Sequence, residues 1–200
     1  MLLSASLANS TARFAKQDKD VLSSKPTRQG AFFLTRRFGE KIILPAVALL
    51  ILVADQMSKY LVLSNLNPGQ SWNPVASLTP WASITHVTNT GAAFGLFPDR
   101  GSFFVVIAVI VVAAIIFYYR HLPAGQWWIK ISLGLQLGGA LGNLLDRLRR
   151  GYVIDFIDFK IWPVFNVADS AIVIGVAILA YYLLRDEGEK ENGEHLMQES

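Results

Sequence analysis

Val164-Phe165-Asn166-Val167-Ala168-Asp169-Ser170-Ala171-Ile172-Val173-Ile174-Gly175-Val176-Ala177-Ile178-Leu179-Ala180-Tyr181-Tyr182-Leu183-Leu184 is apolar nearly throughout, yet Asn166 and Asp169 sit in its first turns. About 20 apolar residues coiled as a helix cross the ~30 Å hydrocarbon core of a bilayer, so the run reads as a membrane span. A carboxylate inside a span costs roughly 2.5–3.5 kcal/mol on insertion scales at mid-bilayer and less near the edge. Ionisable groups placed at such a cost mark functional positions. Asp155 lies upstream across a short loop, where the chain can bring it back to meet Asp169. Asp158, in the same stretch Gly151–Phe159, fits that pattern equally well, and residue pattern does not separate the two.

Working outward, three more apolar runs of span length appear. Ile42–Leu63 is interrupted near its far end by Asp55, Gln56, Ser58 and Lys59. Ser102–Tyr119 is the cleanest, rich in Val and Ile and free of charge. Ile129–Leu145 carries Gly134, Gly138, Gly139 and Gly142, spaced so that helix backbones can approach closely. Lys130, at its entry, can snorkel to the interface. The expected fold is therefore an all-α integral membrane protein of four transmembrane helices, about 42–63, 102–119, 129–145 and 164–184. The chain is 52% apolar and 16% charged, against about 25% charged in soluble domains.

The flanks are polar. Residues 1–41 read as an unstructured basic cytoplasmic tail with no apolar stretch of signal-peptide kind. Residues 186–200 read as an unstructured acidic cytoplasmic tail. Between them, 42–185 form the membrane domain. The loop 64–101 is broken by Pro68, Pro74, Pro80 and Pro98. With the partly β-branched Ser83–Val87, it is expected to form a small extracytoplasmic β-like subdomain. Counting Lys and Arg, with both termini cytoplasmic, places 12 inside and 5 outside, the bias of the positive-inside rule. The cluster after the third run (Arg147, Arg149, Arg150) argues against this locally, unless Arg147 is pinned inward by carboxylates or carbonyls. Tyr118–Tyr119, Trp127–Trp128 and Tyr181–Tyr182 would form an aromatic belt at the cytoplasmic boundary.

Several chemistries are excluded. With no cysteine, disulfides, thiolate catalysis and Cys-type zinc sites are unavailable. His86, His121 and His195 show no ligand spacing. The net charge of +3 comes from a basic front and an acidic tail, without the aromatic-interleaved basic stripe of a nucleic-acid binder.

The remaining polar residues fall into patterns. Asp55 and Lys59 are four apart and can pair on one helix face, holding register. Asn143 and Arg147 are also four apart, and Asn143 needs partners inside the bundle. Asn89-Thr90-Gly91-Ala92-Ala93-Phe94-Gly95 can form a turn leading into the second span, or Asn89 can hold a peptide main chain through its paired donor and acceptor. Asn166 and Asp169 are one helical turn apart. Two carboxylates brought close share a proton, so one can deprotonate water while the other protonates a carbonyl. That chemistry needs no metal or cofactor. A proton- or ion-coupled transporter is the alternative, since membrane acids also act as relays, but the acids cluster at one edge and no internal repeat is visible. A non-catalytic scaffold is the third reading.

The blocks Asp55-Gln56-Met57-Ser58-Lys59, Asn89–Phe94, Gly138–Arg147, Val153-Ile154-Asp155-Phe156 and Phe165–Ser170 occur in an order that resembles the lipoprotein signal peptidases, or signal peptidase II, of bacterial inner membranes. The resemblance covers roughly residues 42–185. It implies an aspartic endopeptidase that removes signal peptides from prolipoproteins, cutting before a cysteine that already carries diacylglycerol. Carried over by position, it makes Asp155 and Asp169 the catalytic pair, Asp155 rather than Asp158. Asp55, Lys59, Asn89, Gly91, Asn143, Arg147 and Asn166 match other motif positions and are expected to support the site or position substrate. It also implies a multi-pass protein with its site near the outer membrane surface, in contact with membrane lipids and open to globomycin-type inhibitors. About 40 residues precede the first span, more than the family generally has.

Overall fold

The computed structural model describes residues 28–91, 101–123 and 125–198, with side chains placed for 40–91, 102–123 and 125–185. Its order is helix α1 (Arg28–Asn65), strand β1 (Ser71–Trp72), a 3-10 turn (Ala76–Leu78), strand β2 (Ser83–Asn89), helix α2 (Gly101–His121), helix α3 (Trp127–Arg150), strand β3 (Val153–Asp158) and helix α4 (Val167–Gln198). Contacts divide the chain into two units, 1–39 and 40–200; the site lies wholly within the second.

Among the described residues, three helical stretches are long and apolar enough to cross a membrane: Glu40–Asn65, Ser102–His121 and Val167–Arg185. The expected run 129–145 lies in α3, which fails that criterion because it carries Lys130, Asp146, three arginines and four glycines. Its position explains its composition. Packed on α2 and α4, α3 buries Ile129, Leu133, Leu137 and Ala140, so it needs no apolar surface all round. By contrast α2, with almost nothing buried, is apolar on every face.

Hydrogen bonds tie the helices at one end of the bundle. Glu40 accepts from Lys130 Nζ at 2.9 Å and from the Gly125 N–H at 2.8 Å. Pro45, inside α1, has no N–H to offer the carbonyl four residues back, that of Lys41. The Tyr119 hydroxyl, from the end of α2, donates to that carbonyl instead at 2.7 Å. At the other end, Asp55 Oδ1 accepts from the Ala168 N–H at 3.0 Å, joining α1 to the start of α4.

The fourth apolar run enters its helix later than its sequence suggests. Val164 and Phe165 precede α4, and Phe165 bridges antiparallel to Ile157. Pro163 lies just before, and the helix opens only after Asn166. At its far end α4 continues to Gln198, and α1 is already helical at Arg28. Both stretches were expected to be unstructured; extending a formed helix adds a bond per residue without a new nucleation cost. Residues 1–27 lie outside the described residues.

The small sheet has the order β1-β2-β3, all antiparallel. The loop 64–101 supplies β1 and β2, and β3 comes from beyond α3. Gly151 makes that return possible. It ends α3 at φ +82°, a left-handed conformation that glycine adopts without steric cost, with its N–H on the Arg147 carbonyl at 3.0 Å. The register Val87↔Asp155 and Asn89↔Val153 then sets Asp155 beside the end of β2.

Candidate active site

Asn166 caps α4. Its Oδ1 accepts the Asp169 N–H at 2.9 Å, while Asp169 Oδ2 accepts the Asn166 N–H at 3.2 Å. This is a capping box with Asp in place of the usual Glu, and it satisfies two backbone donors reciprocally. The box fixes the direction of the Asp169 carboxylate. The other side of that carboxylate, Oδ1, accepts from Asn143 Nδ2 at 2.8 Å.

Asp155 meets the same cap. Asn166 Nδ2 donates to Asp155 Oδ1 at 2.7 Å, and Asn89 Nδ2 donates to Asp155 Oδ2 at 2.9 Å. Asn89 turns its Oδ1 to the Gly91 N–H at 3.0 Å. Its amide thus holds a carboxylate and its own turn. Asp155 is buried, and burial together with the nearby Asp169 charge raises its carboxyl to about 6, against the lowering effect of the two amides and of Lys59. Such a group changes protonation near neutral pH, as acid–base chemistry requires.

Beneath these acids lies an ion-pair layer. Lys59 Nζ is 2.8 Å from Asp55 Oδ2 and 2.8 Å from Asp146 Oδ2, and donates to Asn143 Oδ1 at 3.0 Å. All three charged groups are buried. Arg150 Nη1 completes Asp146 at 2.8 Å, and Gln56 Nε2 spans Asp55 and Asp146 at 3.1 and 3.2 Å. Two acids and two bases balance. Asn143 is the joint between layers, accepting from Lys59 and from Asn166 Nδ2 at 3.2 Å while donating to Asp169. Arg147 Nη2 donates to the Gly91 carbonyl at 3.4 Å, and its guanidinium lies 5.3 Å from the Phe104 ring centre.

The structure thus brings Asp55, Lys59, Asn89, Gly91, Asn143, Arg147, Asp155, Asn166 and Asp169 into one connected region. Asp158 goes elsewhere. Three residues on, an odd step puts it on the opposite sheet face from Asp155. There it accepts from Lys160 Nζ at 2.6 Å and Thr85 Oγ1 at 2.8 Å. Burial would raise its carboxyl, but the Lys160 and Thr85 hydrogen bonds and the Lys160 charge outweigh that and lower it to about 2. Asp146 and Gln56 were not singled out from sequence. Asp146 with Arg150 has the i,i+4 spacing of an ordinary surface pair, so nothing in the local pattern marked it as buried.

Residues 47–185 match the family model described as signal peptidase (SPase) II. The chain belongs to the signal peptidase II family. It is 49% identical over 144 residues to the lipoprotein signal peptidase of Moorella thermoacetica, covering 72% of this chain and 94% of that one. To that of Halothermothrix orenii it is 45% identical over 141 residues, covering 70% and 94%. A solved structure titled as a bacterial membrane enzyme matches with a TM-score of 0.67 at 32% identity, covering 72% of this chain and 89% of that one. As a signal peptidase II family member, this chain is a membrane-embedded peptidase that cleaves prolipoprotein signal peptides. Neither the family match nor the relatives support the transporter alternative.

Proposed function

We propose that Asp155 and Asp169 are the catalytic pair, cleaving the peptide bond before a diacylglyceryl-modified cysteine. The observation that carries this is their shared amide cradle: Asn166 is hydrogen-bonded to both acids, Asn89 to Asp155 and Asn143 to Asp169.

In this reading Asp155, raised to about 6, carries the proton and Asp169 acts as base. Asp169 takes a proton from water as the oxygen attacks the scissile carbonyl, and Asp155 gives its proton to the carbonyl oxygen. The tetrahedral intermediate then collapses. Its C–N bond breaks, the departing nitrogen takes up the proton held by Asp169, and the hydroxyl proton returns to Asp155. The products are a signal-peptide carboxyl terminus and a cysteine with a free amine. Asp55 and Lys59 keep the α4 cap in place, while Asn89, Gly91, Asn143 and Asn166 aim the acids. Arg147, whose buried Nε has no hydrogen-bond partner among the described residues, offers a donor to substrate carbonyls.

We further propose that α3 also spans, making four transmembrane helices, with the sheet outside, both termini cytoplasmic and the protein in a bacterial inner membrane. Supporting this, Glu40 and Lys41 of α1 lie where α2 ends and α3 begins, and α4 begins near Asp55, toward the other end of α1. The four helices therefore run alternately between two ends. The 12-to-5 charge count supports the orientation. A globomycin-type inhibitor would bind over the acid pair, beside membrane lipid.

The test is Asp155→Asn and Asp169→Asn, each near-isosteric. Both should leave folded protein that accumulates uncleaved lipid-modified precursor, with turnover down by about 10²–10⁴-fold or more. Normal processing by either variant refutes the assignment.

A further inference from the structure

The sheet has two dissimilar ends. One, at Asn89 and Val153, leads into the site. At the other, β1 finishes, β2 begins and β3 finishes, because Trp72 pairs with Ile84 and Ser83 with Asp158. Large apolar side chains collect there on the surface: Ile161 is 89% exposed, Trp81 70%, Trp162 62% and Trp72 58%, with Leu78 and Phe159 about half exposed. Water-facing loops rarely gather so much apolar surface without a partner. Their chemistry is specific, since tryptophan favours the boundary between hydrocarbon and headgroups, where its ring is apolar and its N–H stays wet.

Chain connectivity identifies what covers this end. Trp162 is five residues before Val167, the first residue of a membrane-crossing stretch, so it lies within about 17 Å of it even fully extended. Trp72 follows Asn65, the end of another such stretch, by seven residues, within about 24 Å. Both stretches therefore reach the membrane boundary within about 24 Å of this tip.

We infer that the tip of the sheet formed by Trp72, Trp81, Ile161 and Trp162 inserts into the headgroup layer of the adjoining leaflet, making the sheet a membrane-docked cover over the site. This rests on the membrane embedding of the helices and not on the assignment of the acids. It gives the tip a function: holding the sheet at the depth at which a lipid-anchored precursor presents its cleavage point.

Full-length chains retaining only Trp81 or only Trp162, the other tryptophans changed to phenylalanine, are reconstituted in phosphatidylcholine vesicles. Lipids brominated near the headgroup or near the acyl terminus serve as quenchers. Each tryptophan should emit to the blue, be quenched several-fold more by shallow than by deep bromine, and resist aqueous iodide. Water-like emission with full iodide access and no bromine quenching overturns the inference. So does iodide protection without bromine quenching, which would mean that protein covers the tip. As a second readout, the triple variant Trp81→Ser, Ile161→Ser, Trp162→Ser should raise the KM for a vesicle-borne diacylglyceryl peptide several-fold with little change in kcat. An unchanged KM also counts against it.

Discussion

Asn166 and Asp169 hold each other through two reciprocal hydrogen bonds, at 2.9 and 3.2 Å, while the Asn166 amide reaches Asp155 at 2.7 Å. The residue that starts α4 is thus the residue that aims both acids. The two roles separate by substitution. Both variants lose the buried amide donor, but Asn166→Ser retains a capping oxygen, so it should be more stable than Asn166→Ala by about 0.5–2 kcal/mol. Both lose the amide to Asp155, and misplacement on that scale lowers turnover by about 10²-fold. Thermal unfolding in detergent read alongside cleavage checks this. Full activity in Asn166→Ser would show that the amide does not position Asp155.

The protonation of Asp155 sets a pH dependence. Its carboxyl sits at about 6, so it is protonated below that pH and ionised above it. If it supplies the proton to the carbonyl, kcat/KM of the free enzyme should fall as pH rises through about 6. The Asn89 hydrogen bond stabilises the ionised form and lowers this value. Asn89→Leu should therefore move the falling limb to higher pH. A limb that moves down, or stays, contradicts the role given to Asn89.

Lys59 neutralises two buried acids at once, at 2.8 Å each. Lys59→Met leaves Asp55 and Asp146 facing each other without their shared cation. Removing one partner of a buried pair costs about 3–5 kcal/mol, so this variant should unfold well below the parent in a detergent melt. Adding Asp55→Asn should recover part of the loss. No recovery would mean that the cation acts through packing rather than charge.

The membrane class and three of the spans were legible because apolar runs of span length leave few alternatives. The run 129–145, also expected to span, falls in α3, which is less apolar because neighbouring helices cover it. The sheet was half legible. Ser83–Val87 reads as a strand in isolation, and the alternating bulky residues of Gly151–Phe159 suggest an extended stretch, but their pairing across 60-odd residues of chain is a long-range contact with no local signal. Asp155 and Asp158 were indistinguishable by residue pattern; the family resemblance chose Asp155, and the physical difference is three-dimensional, one among amides and the other against Lys160. Asp146 was missed because burial of an i,i+4 pair depends on which helices lie opposite.

Gly142 offers the sharpest test of how the helices set the site. A Cβ built there would lie 2.5 Å from Asp55 Oδ2 and 3.0 Å from its carboxyl carbon. That carboxylate has no room to withdraw, because Oδ2 is held by Lys59 at 2.8 Å and Oδ1 by the Ala168 N–H at 3.0 Å. Gly142→Ala should therefore push Asp55 off the start of α4. Overpacking of this kind costs about 1–3 kcal/mol, and loss of the bond to Ala168 loosens the cap that carries Asp169, so turnover should fall as well. Because the clash is with one side chain, Gly142→Ala and Asp55→Ala should be strongly non-additive in a double-mutant cycle. Additive effects on stability would mean that the methyl group displaces the α3 backbone instead.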